Sequence, residues 1–547
     1  MLPNPAFLKP SQKDRFAALL IFGFSFLLRR FFFCGFILGD DCEEFSLMQD
    51  LLARGPVFEG HLQYRFVIWV FNWICFALFG VSEATFFLPT QILSASLGVI
   101  AYFLFLKWHY ERKTAFLSGL LVASFPFEVL IGTVRANDLF LSWFLAVGLW
   151  CFFALEKKPL AQGMSLGVFM WLGFYTKLWA VYFLPVLGLY YGLQFFRYRI
   201  GAGLAGFCGM SLALHALSSL FWALKTGTFF PFLLKYSATY PVPAKDLAFF
   251  FKQYPTMLFQ GSEFGTTFFG YMPWMLLALL GMKTVAAFMP TAPAGLRWDR
   301  VDRVLFACYV SFFLLLNFFT NNFKFDQYYS APRIFRYLAP LSFPMSVHTA
   351  KILADCLRAA LPPMKIRISG AAVLVFLVFF TVNLVQTFDA TQPGRIYRRT
   401  LLLILKDVKK YDPPQVLAES WLSFFLEQVY LKGSKGEIAH LLGLANAKDY
   451  EKWLKSHEAA LRPGSLLISG LGSYVHYGAH YTGFRLNQFE SGLSRQWKMI
   501  KEYETQSYLP VPEKAKLWQW TGGREDGSSR AYASKFLPVA GGGNPGS

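Results

Sequence analysis

The sequence has few charged residues for a chain of 547 residues, and this scarcity excludes an ordinary soluble enzyme. Only 16% of the residues are charged, whereas 55% are hydrophobic. Apolar stretches recur from Phe16 to Phe388, and many have the length of about 20 residues that a helix needs to cross ~30 Å of hydrocarbon. We therefore expect a polytopic membrane protein.

Paired cysteines, metal motifs and nucleotide motifs are also missing. The seven cysteines lie mostly in apolar stretches without CxxC spacing, which argues against a disulfide framework and a zinc site. No HExxH spacing is present, and neither is a P-loop. The sequence therefore predicts no metal and no cofactor, with a divalent ion held by Asp40 and Asp138 as the alternative. ATP-driven transport is disfavoured.

Positive charge, in contrast, is in excess, with a net charge of +19. In a membrane chain, Lys and Arg mark cytoplasmic loops and contacts with anionic lipid. No basic run is interleaved with a nucleic-acid-binding fold, so we expect membrane lipids and no nucleic acid as partners. Lys9, Lys13 and Arg15 precede the first apolar run, and no small-residue cleavage site follows it. This pattern predicts an uncleaved signal anchor with a cytoplasmic N-terminus.

About eleven apolar segments are predicted to cross the cell (inner) membrane. A further stretch, Phe66–Val81, could cross or could lie along the interface. If it does not cross, the basic loops 107–113, 156–158, 197–199, 297–300 and 351–367 all face the cytoplasm, as the positive-inside rule favours. We therefore expect a juxtamembrane helix at Phe66–Val81. The predicted spans cover residues 16–38, 86–106, 115–132, 139–155, 163–177, 178–195, 200–224, 266–288, 304–320, 335–350 and 369–388.

The sequence predicts an all-α membrane domain over residues 1–390 and a small exoplasmic α/β domain over residues 391–520. The first exoplasmic loop, residues 39–85, carries juxtamembrane helices. In the C-terminal domain, we expect strands at Gln415–Glu419 and Ser465–Ser469, and helices at Leu422–Leu431 and Lys448–Leu461. The tail, residues 521–547, is rich in Gly and Ser and is predicted to be disordered.

Four acidic residues follow the first apolar run, within the sequence Gly39-Asp40-Asp41-Cys42-Glu43-Glu44. Charge is costly near a bilayer, so carboxylates next to a span point to a functional role. The alternative is a solvated acidic loop. In the predicted topology, this turn shares the exoplasmic face with Arg135–Asp138, Lys177 and Asn321–Tyr337, so polar residues far apart in sequence can converge there.

Four segments in order resemble the GT-C glycosyltransferases, and the nearest relatives are protein O-mannosyltransferases and the bacterial lipid A aminoarabinose transferase. Asp40-Asp41-x-x-Glu44, with Gly55 behind it, is similar to the start of the family's first exoplasmic loop. Phe125–Asp138 resembles the acidic second loop, Gly167–Lys177 resembles a span that ends in Thr-Lys, and Pro332–Pro340 resembles an Arg-Tyr-Leu-x-Pro segment. The resemblance covers residues 16–390 approximately and implies a GT-C-like fold.

The resemblance implies that Asp40 is the catalytic base. A hydroxyl is a poor nucleophile, so a carboxylate must accept its proton as it attacks the anomeric carbon of the sugar. Asp41 would orient or tune Asp40, because adjacent carboxylates raise one another's pKa. Asp138 would place the acceptor or support Asp40. The plainer interpretations are a helix N-cap for Asp40 and a pair with Arg135 for Asp138.

The donor in this family is a sugar on a polyprenyl phosphate, and cations at the membrane interface would stabilise the departing phosphate. Lys177, Arg336 and Arg333 suit that role, and their plainer interpretation is snorkelling to the lipid headgroups. Tyr337 would bind the donor by a hydrogen bond or would only belong to the aromatic belt. The aminoarabinose transferase has a Lys-Pro-Pro segment late in its first loop, which is absent here. Arg65 replaces that lysine or anchors the juxtamembrane helix.

We therefore expect an inverting glycosyltransferase that moves a sugar from a polyprenyl-phosphate donor to an exoplasmic glycolipid, cell-envelope glycan or protein. The first alternative is a transporter or flippase for a lipid-linked glycan. Such a protein would be expected to have an internal repeat and polar helices at mid-membrane, and the sequence shows neither. An O-antigen ligase or polymerase is a second alternative, and a non-catalytic scaffold is a third.

Overall fold

The structure is a computed structural model of the chain, and one part of the chain can be described from it. This part comprises residues 10–36, 38, 40–55, 64–198, 201–229, 254–259, 268–291, 293, 296–319, 335–360, 367–430, 437–441, 458, 461–471, 493, 495–504 and 514–522. It falls into two units. The first unit holds residues 1–33 and 50–391, and the second holds residues 34–49 and 392–547.

Helices build the first unit and also occur in the second, which contains Ser420–Phe425 and the start of Asp40–Arg54. In chain order the α-helices of the described residues are Gln12–Phe31 (α1), Asp40–Arg54 (α2), Phe66–Phe79 (α3), Glu83–Lys107 (α4), Arg112–Ser124 (α5), Pro126–Thr133 (α6), Asn137–Ala154 (α7), Pro159–Thr176 (α8), Leu184–Tyr198 (α9), Ala202–Thr226 (α10), Met272–Ala287 (α11), Arg300–Phe318 (α12), Ala339–Ala360 (α13), Arg367–Tyr411 (α14) and Ser420–Phe425 (α15). Two short 3-10 helices, Leu178–Phe183 and Phe335–Leu338, precede α9 and α13.

Several of these helices are long and apolar enough to cross a membrane. Within the described residues there are six such helices, or seven if the bent pair α5 and α6 forms one span. The predicted all-α, multi-pass membrane domain is confirmed. The predicted number of eleven spans and the predicted orientation stay predictions. The stretch Phe66–Val81 does form a helix, α3, whose 14 residues extend about 21 Å, less than the ~30 Å of a hydrocarbon core.

The pair α5 and α6 bends by 55° at Pro126, which has no N–H to continue the helix. The carbonyl groups around this break need other donors. Arg29 of α1 supplies one, since its Nη1 donates to the Ala123 carbonyl at 2.7 Å. The Ser94 hydroxyl donates to the Glu128 carbonyl at 2.7 Å and accepts from Arg29 Nε at 2.8 Å. A fully buried arginine within the first apolar run therefore stabilises a broken span.

Helices α8 and α10 approach each other closely through glycines. A Cβ atom added at Gly163 would lie 2.0 Å from the Gly203 carbonyl oxygen, and one added at Gly206 would lie 2.5 Å from the Leu160 carbonyl oxygen. Only glycine permits such backbone contact between membrane helices. The contact holds α8 in place, and Lys177 follows the last residue of this helix.

The second unit contains a mixed five-stranded sheet among the described residues. Its strands are Gln415–Glu419 (β1), Glu437–Leu441 (β2), Leu466–Ser469 (β3), Trp497–Glu504 (β4) and Lys514–Trp520 (β5), in the order β2-β1-β3-β5-β4. Strand β1 is parallel to β2 and β3, whereas β5 is antiparallel to β3 and β4.

The predicted small C-terminal α/β domain is confirmed. The strand predicted at Gln415–Glu419 has the predicted bounds, and the strand predicted at Ser465–Ser469 begins one residue later. Of the predicted helix Leu422–Leu431, the structure has α15 and a π-helical turn, Leu426–Tyr430. Most of the helix predicted at Lys448–Leu461 and nearly all of the tail lie outside the described residues. The domain boundaries at 390 and 520 stay predictions.

Candidate active site

Asp138 and Lys177 form a buried ion pair in the first unit. Asp138 lies in the first turn of α7, where the helix dipole favours a negative charge. Lys177 follows the last residue of α8. Its Nζ lies 2.5 Å from Asp138 Oδ1, and the side chains are only 4% and 0% exposed. Two segments that lie 39 residues apart in sequence thus place opposite charges together, away from solvent.

Arg336 is the second cation beside Asp138. It belongs to the 3-10 helix Phe335–Leu338 that leads into α13, and its side chain is 9% exposed. Arg336 Nε lies 3.9 Å from Asp138 Oδ2. This distance is too long for a hydrogen bond, so the guanidinium attracts the carboxylate without binding it directly.

Two aromatic rings enclose the Lys177 ammonium. Its Nζ lies 4.0 Å from the ring centre of Tyr337 and 4.3 Å from that of Trp179, close enough for cation–π attraction. The two rings meet edge to face with their centres 4.0 Å apart. The sequence reasoning missed Trp179, although its position two residues after Lys177 was a usable signal. We call the set of Asp138, Lys177, Trp179, Arg336 and Tyr337 the Asp138 cluster.

Arg65 contributes a third positive charge near this cluster. It is 6% exposed and immediately precedes α3, and its charge acts on Lys177. Its neighbour Tyr64 is buried in an apolar core with Tyr175 of α8 and Trp222 of α10. The packing of Tyr64 therefore fixes the approach of Arg65 to the end of α8.

Asp138 keeps a hydrogen-bond acceptor that no described residue uses. Lys177 contacts its Oδ1 at 2.5 Å, whereas Oδ2, 3.9 Å from Arg336 Nε, accepts no hydrogen bond from the described residues. A buried site that combines cations with an unused acceptor can hold an anion and a hydroxyl donor side by side.

The alternative pairing of Asp138 with Arg135 does not describe the site. Arg135 Nη1 instead donates to the Thr90 hydroxyl at 3.1 Å. Its guanidinium lies 5.1 and 4.9 Å from the ring centres of Phe86 and Phe140. Arg135 therefore packs between α4 and α7, whereas Asp138 pairs with Lys177.

The other predicted site residues are described only in part. Helix α2 begins at Asp40, where the sequence predicts a helix start, but the side chain of Asp40 lies outside the described part. Asp41 is 1% exposed, and its Oδ1 accepts a hydrogen bond from the Cys42 N–H at 3.1 Å. Both aspartates belong to the second unit. Arg333 lies outside the described residues, so the roles of Asp40, Asp41 and Arg333 stay predictions.

A second buried ionic cluster joins α11, α12 and α13. Lys283 Nζ donates to Asp302 and Asp355 at 2.6 and 2.8 Å. Lys351 Nζ donates to the same two carboxylates at 2.8 and 2.9 Å. The Tyr110 hydroxyl also donates to Asp355. Burial raises the pKa of Tyr110, and the charge of Asp355 adds to this effect. We call Lys283, Asp302, Lys351 and Asp355 the Asp302 cluster.

Asp299, Asp302 and Asp355 form the group of described residues whose spacing suits a metal ion. Two lysine ammonium groups already contact these carboxylates, since Lys351 also lies 2.8 Å from Asp299. Ammonium groups in such positions replace a cation, so these residues do not fit a divalent ion.

One protein family matches the sequence of the chain. Residues 66–222 match the model of a family described as dolichyl-phosphate-mannose-protein mannosyltransferase. This range includes Asp138 and Lys177 and covers less than a third of the chain. No curated protein matches the chain.

Several solved structures are similar in fold, among them two with a TM-score of 0.50. The apo crystal structure of ArnT from Cupriavidus metallidurans has a TM-score of 0.50 and 11% identity, and the match covers 92% of this chain and 97% of that one. The oligosaccharyltransferase of Archaeoglobus fulgidus, solved with zinc and sulfate, has a TM-score of 0.50 and 10% identity over 83% of this chain and 67% of that one. The resemblance to GT-C glycosyltransferases is therefore confirmed at the level of the fold.

Proposed function

We propose that the chain is an inverting glycosyltransferase that moves a sugar from a polyprenyl phosphate to a hydroxyl group of an exoplasmic acceptor. The acceptor is a glycolipid, a cell-envelope glycan or a protein. The GT-C fold and the family match over residues 66–222 support the enzyme class. The exoplasmic position of the site and its location in the inner membrane rest on the distribution of basic loops.

The observation that carries the proposal is the convergence of buried cations at Asp138. Lys177 and Arg336 flank one carboxylate and are almost fully removed from solvent. Arg65 adds a third charge that acts on Lys177. Cations at a buried site attract an anion more strongly than cations in water, because the surroundings screen the charges less. A phosphate that enters between Lys177 and Arg336 would provide that anion.

The chemistry of the reaction explains why such a site assists catalysis. A sugar polyprenyl phosphate is a phosphodiester with one negative charge. When the bond between the anomeric carbon and the phosphate oxygen breaks, the departing phosphate gains further negative charge. Cations that are already in place stabilise this charge more in the transition state than in the ground state, which lowers the barrier.

The attacking group needs a base, and we assign this role to Asp40. The acceptor hydroxyl oxygen forms the new bond to the anomeric carbon, and its proton passes to the Asp40 carboxylate. Asp41 tunes or orients Asp40. Asp138 accepts a hydrogen bond from a sugar or acceptor hydroxyl through Oδ2, which accepts none from the described residues. Tyr337 and Trp179 hold the Lys177 ammonium toward the phosphate.

The proposal separates phosphate binding from proton removal, and two variants test this separation. Asp40→Asn is expected to bind undecaprenyl phosphate like the unmodified protein but to transfer no sugar in membranes supplied with polyprenyl-phosphate mannose or aminoarabinose. Lys177→Met is expected to lose binding of undecaprenyl phosphate. Asp50→Asn is the matched control, because Asp50 is exposed on the same helix as Asp40.

Full transfer by Asp40→Asn at normal expression would contradict the assignment of the base. Loss of glycan export, with the lipid-linked sugar still consumed, would favour the transporter. Unchanged binding of undecaprenyl phosphate to Lys177→Met would contradict the phosphate site itself.

A further inference from the structure

A polar cavity of about 350 Å³ lies among helix ends of the first unit. Its walls come from the last turn of α4 and the residues after it, from Glu156 beyond α7, from the start of α12 and from the last turns of α13. These segments include most of the loops that the sequence predicts to be basic and cytoplasmic. A volume of this order suits a small organic ligand, for which sites of ~300–1,000 Å³ are typical.

This cavity lies at the opposite end of the helices from the Asp138 cluster. Asp138 lies in the first turn of helix α7, and this helix ends two residues before Glu156, which lines the cavity. Its 18 residues extend about 27 Å. Helix α13 runs the same way, from the segment that holds Arg336 to Arg358 in the cavity wall. The separation is close to the ~30 Å of a hydrocarbon core, so the cavity is a separate site.

The cavity wall carries more positive than negative charge. Two of its five basic side chains are paired, since Lys351 contacts Asp299 and Asp355 and Arg300 contacts Glu156. The other three have no ion pair among the described residues, and they are Lys107, Arg297 and Arg358. Three unpaired cations around one polar cavity favour an anionic ligand.

An apolar cavity is lined by three of the helices that also line the polar one, α7, α12 and α13. Side chains of α7, α8, α9, α12 and α13 line it, and they include Phe152 and Tyr190. Arg300, from the wall of the polar cavity, donates to the Tyr190 hydroxyl at 2.8 Å and lies 5.8 Å from the ring centre of Phe152. The basic wall and the apolar space therefore meet at these two rings.

We propose that the two cavities together bind one anionic phospholipid, with its phosphate among Lys107, Arg297 and Arg358 and an acyl chain against Phe152 and Tyr190. A soluble phosphate ester would use only the polar half, so the apolar half favours the lipid. Basic pockets between membrane helices typically bind anionic headgroups. This inference does not depend on the proposed transfer reaction.

The headgroup half of the site is tested with a double variant. The full chain, purified in detergent, is titrated with phosphatidylglycerol and with phosphatidylcholine of the same acyl chains, and bound lipid is counted by native mass spectrometry. Lys107→Ala with Arg358→Ala is expected to weaken phosphatidylglycerol binding about thirtyfold, at roughly fivefold per charge. The control, Lys113→Ala with Arg303→Ala, removes two exposed charges outside the cavity and is expected to bind like the unmodified chain.

The apolar half is tested at Gly148 of α7, which lines the apolar cavity. A Cβ there meets Leu166 and Phe169 at an ordinary 3.6 Å, so Gly148→Ala is tolerated and serves as the control. Gly148→Leu fills the cavity and is expected to weaken phosphatidylglycerol binding while leaving binding of glycerol 3-phosphate unchanged. Three results would overturn the proposal: equal binding of both lipids, full binding by the double variant, or glycerol 3-phosphate binding as tight as that of phosphatidylglycerol.

Discussion

The two buried ionic clusters of the first unit differ in how completely their charges are satisfied. In the Asp302 cluster, both oxygens of Asp302 and both oxygens of Asp355 accept hydrogen bonds. The His348 ring adds a contact to Asp302 at 3.3 Å. The Asp138 cluster is unbalanced in this sense, because Asp138 Oδ2 accepts no hydrogen bond from the described residues.

This difference separates a structural role from a functional one. Removing ions from water costs several kcal/mol per ion, and only close opposite charges with full hydrogen bonding offset that cost. In the Asp302 cluster, the ion pairs and hydrogen bonds among its own residues offset this cost, and they join three helices. In the proposed function, a ligand offsets the part of this cost that the Asp138 cluster leaves. The unused acceptor of Asp138 is the feature on which this assignment rests.

The strongest test of this comparison is Lys283→Met, which removes a fully buried cation from the balanced cluster. Asp302 and Asp355 would then share Lys351 alone. We expect the free energy of unfolding to fall by about 3–5 kcal/mol, measured by denaturant titration in mixed micelles. Sugar transfer per folded molecule is expected to stay unchanged, because the Asp302 cluster lies at the other end of the helices.

Lys113→Met is the control for this substitution, since Lys113 is exposed and its replacement should change stability by less than about 0.5 kcal/mol. The comparison breaks down if Lys283→Met abolishes transfer in protein that is still folded. Both clusters would then belong to the reaction.

Lys177→Met applies the same change to the unbalanced cluster. We expect transfer to fall by about 100- to 1,000-fold, the usual cost of removing one group that stabilises transition-state charge. Stability should also fall, because Asp138 would stay buried with Arg336 at 3.9 Å as its nearest described cation.

The double variant Lys177→Met with Asp138→Asn separates these two effects. It removes the unpaired carboxylate, so the thermal midpoint should recover toward that of the unmodified chain while transfer stays low. Recovery of transfer together with stability would mean that Lys177 has only a structural role.

Sequence patterns were sufficient where the signal is local. The long apolar runs predicted membrane helices, and a short apolar run predicted the strand at Gln415–Glu419. Asp138, Lys177, Arg336 and Tyr337 were found because each lies in a short motif near the end of an apolar run. In the structure these residues come together because their helices have similar lengths, so the helix ends that bear them lie at the same height.

Contacts that depend on helix rotation could not be predicted in this way. Arg29 looked like one of two arginines inside the first apolar run, and only the kink at Pro126 explains its burial. Lys283, Asp302 and Lys351 are single charges on three helices, and no spacing in the sequence links them. Trp179 resembles any aromatic residue of the interface until the position of the Lys177 ammonium is known.

The smallest expected effect concerns Tyr337. It tests whether the aromatic ring or the hydroxyl group of this residue contributes to the unbalanced cluster. The Lys177 ammonium lies 4.0 Å from the centre of the Tyr337 ring, so the ring should matter more than the hydroxyl. Tyr337→Phe is expected to keep transfer, whereas Tyr337→Leu should lower it about fivefold through the loss of ~1 kcal/mol of cation–π attraction. Equal losses in both variants would instead support a hydrogen bond from the hydroxyl to the donor. The ring would then only fill space beside Lys177, and the charges alone would define the site.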